Sequence, residues 1–376
     1  VFLNSNAHNY CEEMGIEGTL PLAKWATGER IGLAQNTAQW LGYRLMDKLA
    51  SGELVLDPDH PHLRSPLLDQ WLPGWAAEEL ENAAVRIMSL SACVEETKPV
   101  GFVVHEDVTP EGRLCALFAK ERGITSIHIP HANHFLGPIG NDIHREISCD
   151  WTLAAGSYMA QWYKDAPNIR IVGGPQRDWL YDKEKIPSRE HARRSLGLEQ
   201  DARVVLYAGT WAQNTSSWGD GQADLDRGCL AFLNAAAKAG WAVVIKMHPG
   251  EAEGREKFYQ EAMQERGVKG PVTRFYGEYC LVACDVAVTQ GPSNLGVDAA
   301  ILGKPILELY VAGARYPDGY KISGTWGQTG ELIALSETAQ PDEQFARDMN
   351  FDNDGKACER IVEALKDICV PPPSVV

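Results

Sequence analysis

From residue 100 onwards, short apolar runs alternate with longer segments whose apolar residues recur at helical spacing. The run VGFVVHED (100–107) is apolar and ends in polar residues, and TPEGRLCALFAKERG (109–123) follows it. Thr109 is a favoured helix cap, Pro110 suits the first turn and Gly123 suits the position after the last one. The pattern predicts a strand followed by a helix, which is the repeating unit of a parallel α/β sheet.

The alternation occurs in two sets, separated by the polar, charged stretch DKEKIPSREHARRSLGLEQDA. The first set continues through ITSIHIP, DWTLAAGSYMAQWYKD and IRIVGGPQRDWL, and the second runs from RVVLYAGTW to KPILELY. We therefore predict an α/β protein with two doubly wound Rossmann-like domains facing across a cleft. The predicted bounds are 1–185 for the N-terminal domain, 186–345 for the C-terminal domain and 346–376 for a C-terminal helix and tail.

The first hundred residues show no such alternation. The segments TAQWLGYRLMDKLASG (37–52) and AAEELENAAVRIMSLSACVEE (76–96) have helical spacing. Between them, LDPDHPHLRSPLLDQWLPGW (56–75) is rich in Pro and Asp, and we predict a long surface excursion there.

Composition and net charge disfavour some classes of function for this protein. A formal charge of -16 disfavours broad, nonspecific binding to nucleic acid or anionic membranes. The nine cysteines include no CxxC pair, which favours free thiols in a reducing compartment and a cytoplasmic location. No apolar run reaches ~18 residues, so we expect no transmembrane helix.

Polar residues stand where two strands of the second set end. In VVIKMHPGE, Lys246 and His248 follow an apolar run, at the carboxyl end where open parallel sheets bind ligands. In DVAVTQGPSNLGVDAAILG, a strand runs through a loop into a helix whose first residues include Ser293 and Asn294. Backbone N–H groups at a helix start bind anions, and Asp298, about one turn further on, could accept bonds from ribose hydroxyls. The alternatives are a solvated strand end and a capped helix without ligand.

The first set has its own candidates. In HIPHANHF, His128, His131 and His134 are spaced three residues apart at the end of a strand, with His128 expected within the strand itself. No carboxylate or Cys completes a recognisable metal-ligand spacing, so we predict a catalytic or substrate-binding histidine and no metal. Asp107, also at a strand end, is a second candidate for a general base, although it could instead cap the next helix.

Taken in order, these segments resemble the two-domain GT-B glycosyltransferase fold. The closest likeness is to the CDP-glycerol glycerophosphotransferase and capsule glycosyltransferase group, and a looser one is to non-hydrolysing UDP-GlcNAc 2-epimerases. The resemblance spans 100–309 and rests on GITSIHIPHANH, IRIVGGPQRDWL, RRSLGLEQDARVVLYAGTW, VVIKMHP and CDVAVTQGPSNLGVDAAILGKPILEL.

The resemblance implies roles residue by residue. The family's strand-end His, usually followed by Gly, matches His131, here followed by Ala132, and His134 is the substitute. The family's Gly-x-Pro-Arg-x-Asp passage matches Arg177 and Asp178 with a one-residue slip. The expected donor-binding residues are Thr210, Trp211, Lys246, His248, Ser293, Asn294 and Asp298, with Asn294 replacing a second Ser of the family.

The sequence therefore predicts a metal-independent, cofactor-free glycosyltransferase that moves a sugar from a nucleotide-diphosphate donor, such as a UDP-sugar, to an acceptor hydroxyl. The acceptor is unidentified, and a glycan or small molecule is expected rather than nucleic acid. His131, His134 or Asp107 would take the acceptor's proton. The alternatives are a CDP-polyol phosphotransferase, a nucleotide-sugar 2-epimerase and a non-catalytic nucleotide-binding module.

Overall fold

A computed structural model of the chain describes most residues from 66 to 369. The described residues are 66–105, 107, 109–133, 147–182, 184–210, 222–274, 277–309, 320 and 329–369, with five isolated positions before residue 66. Apart from Arg44, the predicted helix at 37–52 lies outside them.

Among the described residues, the first lobe contains a four-stranded parallel sheet in the order β1-β2-β3-β4. Its elements are α1 (Pro66–Thr97), β1 (Gly101–Val104), α2 (Pro110–Glu121), β2 (Thr125–His128), β3 (Trp151–Ala154), α3 (Ser157–Trp162), β4 (Ile169–Ile171) and a 3-10 helix (Pro175–Tyr181).

Helix α2 begins and ends where the sequence predicts. The Thr109 hydroxyl accepts a hydrogen bond from the Gly112 N–H at 3.1 Å, and Pro110 occupies the first turn. Gly123 follows with φ +65°, in the left-handed region that glycine adopts without strain.

The prediction of a surface excursion at 56–75 is wrong for its last ten residues, which are helical. Helix α1 begins at Pro66 and runs without a break into the predicted helix at 76–96. Proline fits a helix's first turn, and the Leu, Gln and Asp that follow it do not oppose a helix. The second proline, Pro73, costs one intrahelical bond and does not end the helix.

In the part of the second lobe that the structure describes, five parallel strands form a sheet in the order β7-β6-β5-β8-β9. Its strands are β5 (Val204–Ala208), β6 (Ala242–Lys246), β7 (Val272–Thr273), β8 (Val286–Gln290) and β9 (Ile306–Leu309). Its helices are α4 (Arg189–Ser195), α5 (Gln222–Ala239), α6 (Arg255–Arg266), α7 (Gly277–Ala283), α8 (Asn294–Ile301), α9 (Thr329–Thr338) and α10 (Glu343–Met349).

Helices cover both faces of each sheet. In the second lobe, Val205 and Tyr207 face the side of α5 and α6, and Leu206 faces the side of α4 and α7. In the first lobe, Phe102 faces α1 and α2 while Val103 faces the last helix, α11 (Ala357–Ile368). Successive residues of a strand point to opposite faces, so strands buried on both sides read as continuous apolar runs.

Helix α11 therefore belongs to the first lobe, although it follows the second lobe in the sequence. The Asp178 carboxylate accepts bonds from the N–H groups of Ala357 (3.0 Å) and Cys358 (2.7 Å), which caps α11. The Arg360 side chain donates to the Val172 carbonyl at 2.7 Å, next to β4. The domain bounds predicted from sequence stay a prediction, but helix α11 packs on the first sheet.

The lobes also meet around α10. Ser157 at the start of α3 donates to the Asp348 carboxylate at 2.8 Å, and the Phe351 N–H donates to the Ala155 carbonyl. Gly156 passes so close that an added Cβ would lie 2.2 Å from the Asp348 carbonyl oxygen. One apolar cluster spans α3, α8 and α10, and it joins the two lobes behind the site described next.

Candidate functional site

The carboxyl ends of three adjacent strands form the floor of the candidate site. Lys246 pairs in register with Ala208, and Ala208 pairs with Thr289 on the other side. Strands in a sheet lie about 4.8 Å apart, so the backbones at Lys246 and Thr289 are about 10 Å apart. Strand β5 leads to β6 on one side and pairs with β8 on the other, which makes this edge a topological switch point where α/β sheets bind ligands.

The loop after β6 fixes the orientation of His248. Its backbone N–H donates to the Glu251 carboxylate at 2.7 Å, and its Nδ1 accepts from the Gly250 N–H at 3.0 Å. A neutral imidazole with Nδ1 as acceptor carries its proton on Nε2. Burial, and then the nearby Lys246 charge, lower the pKa of His248, so the ring is a neutral Nε2–H donor near pH 7.

Glu251 anchors that loop from below. Its side chain is 2% exposed, and its carboxylate also accepts from the Tyr259 hydroxyl at 2.8 Å. Burial raises the pKa of this carboxyl. Gly209 passes directly over it, and a Cβ there would lie 2.6 Å from Oε1 of Glu251. The glycine after β5 thus permits the approach that places the His248 loop.

Arg274 closes the same loop from the side of β7. Its guanidinium donates to four backbone carbonyls, those of His248 (3.3 Å), Pro249 (3.2 Å), Glu251 (2.9 Å) and Ala252 (3.0 Å). The sequence analysis missed Arg274 and Glu251. The Arg directly after a short strand is the one signal that could have indicated the first.

Two features flank this loop. The Lys246 amine donates to the Met247 carbonyl at 3.0 Å, and burial lowers its pKa. A cavity of about 420 Å³ lies beside the loop, with a lining that includes Glu251, Glu253, Glu256 and Arg274. Three glutamates disfavour a diphosphate there, and we do not assign this cavity to the donor.

The junction between β8 and α8 has the geometry predicted for an anion site. Gly291 turns the chain with φ +72°, and the Ser293 hydroxyl caps α8 by accepting from the Leu295 N–H at 3.2 Å. Gln290, at the end of β8, is held by the Tyr207 hydroxyl (2.8 Å) and donates to the Leu225 carbonyl (2.8 Å). Buried polar contacts therefore fix the end of β8, the strand that leads into α8.

Asn294 and Asp298, predicted to bind the donor, contact the other lobe. Arg177 donates from Nε to Asp298 at 2.7 Å and from Nη2 to the Asn294 side-chain oxygen at 2.9 Å. The Arg177 side chain is 2% exposed and that of Asp298 is 22% exposed. Arg177 thus occupies part of the hydrogen-bonding capacity of Asp298, which was expected to bind a ribose. The donor-binding roles of Asn294 and Asp298 stay predictions.

The predicted base lies on a loop that touches α8. The Asn133 N–H donates to Oδ1 of Asn294 at 2.9 Å, and His131 lies two residues before Asn133. His131 is exposed, and its ring centroid is 5.7 Å from that of His105, at the end of β1. The sequence analysis did not select His105, which the parallel pairing of β1 with β2 brings beside His131.

The other predicted residues are placed as follows. Thr210 follows β5 and is half-buried, whereas His134 and Trp211 lie outside the described residues. Asp107 is fully buried, and its carboxylate accepts from the N–H groups of Ser148 (2.6 Å) and Cys149 (2.9 Å). A buried carboxylate that holds two backbone amides is committed to the fold, so we leave Asp107 out of the proposed catalytic set.

His128, the first of the three spaced histidines, lies fully buried within β2 against the Tyr163 ring. Within the ranges that the structure describes, no cluster of three His, Cys, Asp or Glu could hold a metal ion. None of the helices in those ranges is both long and apolar enough to cross a bilayer.

Solved structures with the same architecture include enzymes of nucleotide-sugar chemistry. A candidate UDP-N-acetylglucosamine 2-epimerase from Listeria monocytogenes has 15% identity and a TM-score of 0.51, over 76% of this chain and 78% of that one. S. aureus MnaA, solved with UDP, has 17% identity and a TM-score of 0.50, over 76% and 80%. At these identities the likeness shows the fold alone, and it confirms the predicted GT-B architecture.

A third structure is that of the wall teichoic acid polymerase TagF soaked with CDPG. It has 16% identity and a TM-score of 0.46, over 72% of each chain. A search of the curated proteins found no match.

The sequence itself assigns the family. Residues 101–307, more than half of the 376-residue chain, match the model of the family described as CDP-glycerol:poly(glycerophosphate) glycerophosphotransferase. The matched range includes both strand ends of the second lobe and the His131 loop of the first. The chain therefore belongs to the CDP-glycerol:poly(glycerophosphate) glycerophosphotransferase family, whose members transfer a group from a nucleotide-linked donor.

Proposed function

We propose that the protein transfers a group from a nucleoside-diphosphate-linked donor to an acceptor hydroxyl. The donor's diphosphate would lie over the carboxyl ends of β6, β5 and β8. One observation carries this proposal. The His248 loop and the start of α8 rise from the two strands that flank β5, so both face the same switch-point edge of the sheet.

The proposed chemistry is electrostatic stabilisation of the leaving phosphate. The N–H groups at the start of α8, the Ser293 hydroxyl and the His248 Nε2–H are donors whose positions the fold fixes before substrate binds. Negative charge grows on the leaving group in the transition state, and removing one such donor typically lowers the rate ~10²–10³-fold. Lys246 would add positive charge at the strand end. Thr210, Trp211, Asn294 and Asp298 complete the proposed donor site.

We assign the proton transfer to His131, with His134 as the substitute. The loop of His131 contacts Asn294 at the start of α8, so an acceptor on the first lobe would meet the donor there. His131 is exposed on this loop, as a group that must reach an acceptor hydroxyl has to be.

Family membership favours a CDP-polyol over a UDP-sugar as donor. In the first reaction the acceptor oxygen attacks the β-phosphorus, the bond from that phosphorus to the bridging oxygen breaks, and CMP leaves. In the second the acceptor oxygen attacks the anomeric carbon, the bond from that carbon to oxygen breaks, and UDP leaves. The family's described substrate supports the first reaction for this chain.

The released nucleotide tests the proposal. The full chain is incubated with CDP-glycerol or UDP-N-acetylglucosamine, with poly(glycerol phosphate) as acceptor, and nucleotides are separated by chromatography. We expect CMP from CDP-glycerol and no UDP from the sugar donor. Release of UDP from the sugar donor would indicate a glycosyltransferase instead. Formation of the N-acetylmannosamine nucleotide without release of UDP would indicate an epimerase.

A thermal-shift panel of CMP, CDP, UDP, GDP and ADP tests the donor site separately. A ligand at ~100 times its dissociation constant adds ~2.7 kcal/mol to the free energy of unfolding. We expect the cytidine nucleotides to stabilise most. Stabilisation by a nucleotide without turnover of a donor would indicate a non-catalytic nucleotide-binding module. If no nucleotide raised the stability of the protein, the proposed donor site would be refuted.

A further inference from the structure

Arg177 joins the two halves of the proposed site. Its three donor nitrogens each bind a different side-chain oxygen, those of Asp298 (2.7 Å), Asn294 (2.9 Å) and Asn133 (3.0 Å). Two of these oxygens belong to α8 in the second lobe, and the third belongs to the loop after β2 in the first. The Arg177 side chain is 2% exposed, so its donor nitrogens are shielded from competing water.

Asn133 is fixed on every side. Its backbone N–H donates to Oδ1 of Asn294 (2.9 Å), its carbonyl accepts from Nδ2 of Asn294 (3.3 Å), and its own Nδ2 donates to the Met349 carbonyl (3.0 Å). Its remaining side-chain oxygen is the one that Arg177 binds. His131 lies two residues away, so the orientation of its loop depends on the bonds of Asn133.

A second buried arginine shows that a buried guanidinium in this fold need not bind residues of both lobes. Arg193, 1% exposed, donates to the carbonyls of Ala283, Gln200 and Ala202 and to the Asp285 carboxylate. All of these acceptors belong to the second lobe. Arg193 therefore stabilises one lobe, whereas Arg177 connects residues of both.

We propose that Arg177 is a positioning residue, which locks the loop carrying His131 onto the first turn of α8 and so sets the distance from the base to the donor phosphates. This inference rests on the proposed function for the role of His131. Lysine keeps the charge of arginine but not the planar fork that reaches three oxygens at fixed angles. Arg177→Lys therefore removes the geometry while leaving a cation beside Asp298, and Arg193→Lys is the matched control.

Hydrogen exchange measured by mass spectrometry on the full chain tests the lock without any substrate. In Arg177→Lys we expect the amide of Asn133 and its neighbours to exchange about 10-fold faster, because the acceptor of that amide loses its own partner. In Arg193→Lys we expect acceleration in α4 and α7 but not in the His131 loop. Unchanged exchange at Asn133 in Arg177→Lys, or equal acceleration there in both variants, would overturn the inference.

Turnover tests the consequence for chemistry, with CMP release from CDP-glycerol as the readout. Displacement of a reacting group by about 1 Å can cost ~10²-fold, so we expect Arg177→Lys to lower kcat at least about 10-fold. In a His131→Ala background the same change should cost no further activity, since both substitutions remove one function. We expect the pH dependence of kcat to flatten in His131→Ala, and to flatten likewise in Arg177→Lys.

A mere loss of folded protein would instead multiply with the His131→Ala effect and leave the shape of the pH profile unchanged. Either result would reject the positioning role. If the wild type releases no CMP, or if His131→Ala keeps full activity, the proposed function fails on its donor or its base. The exchange experiment then still decides whether Arg177 locks the loop.

Discussion

Gly209→Ala places one methyl group where the structure has no room for it. The new Cβ would lie 2.6 Å from Oε1 of Glu251 and 3.4 Å from the Tyr259 hydroxyl oxygen. Ordinary van der Waals contact begins near 3.4 Å, so the carboxylate must move by about 0.8 Å. Glu251 has little freedom to do so, because its side chain is 2% exposed and its carboxylate accepts hydrogen bonds from the His248 N–H and the Tyr259 hydroxyl.

The magnitude follows from these contacts. Overpacking of a closed site costs about 1–3 kcal/mol, and stretching the 2.7 Å bond to His248 leaves a part-buried donor less well satisfied. We expect the free energy of unfolding to fall by about 2–3 kcal/mol. The same movement displaces His248 from the phosphate site, and a loss of 1.4 kcal/mol in binding would weaken the affinity for CDP about 10-fold.

Chemical denaturation and calorimetric titration with CDP measure the two effects of Gly209→Ala. Gly330→Ala is the matched control, because nothing lies within 4 Å of an added Cβ at that position. Because Gly330 lies in helix α9, we expect the control to raise stability by up to about 1 kcal/mol and to leave CDP binding unaltered. If Gly209→Ala were as stable as the control and bound CDP as tightly as the wild type, the assignment of Glu251 as the anchor of the His248 loop would be refuted.

Three further predictions concern single side chains. Ser293→Ala should cost about 1 kcal/mol of stability and weaken CDP binding, whereas Thr109→Ala, which removes the equivalent cap of α2, should cost similar stability without affecting CDP. Burial and the nearby Lys246 lower the pKa of His248, so the unfolded chain binds more protons than the folded chain below about pH 6.5. The free energy of unfolding should therefore fall as the pH drops through this range. The fall should be shallower in His248→Asn, and equal slopes in the two proteins would contradict this. Asp178→Ala should cost about 1 kcal/mol in denaturation and speed amide exchange in α11, and unchanged exchange would exclude the cap.

Periodicity in the sequence was sufficient to predict most elements from residue 100 onwards. Strand β5 is buried on both faces, so its sequence VVLYA is an unbroken apolar run. Helices α5 and α8 are followed by Gly240 and Gly303, both with positive φ. The same local signals misled at Pro66 and Pro73, where a proline-rich composition suggested an excursion and the backbone is helical. Local composition gives a preference, and the rest of the helix can outweigh it.

The sequence alone determined which residues stand at the strand ends, because alternation along a strand and capping at a helix start are local properties. His248 and Ser293 were identified in this way. Only the tertiary structure decided which of these ends meet, since the order β7-β6-β5-β8-β9 and the return of α11 to the first lobe depend on contacts between residues far apart in the chain. Arg177 shows this most clearly: its partners lie 44, 117 and 121 residues away, so no local pattern could reveal that it joins the two lobes.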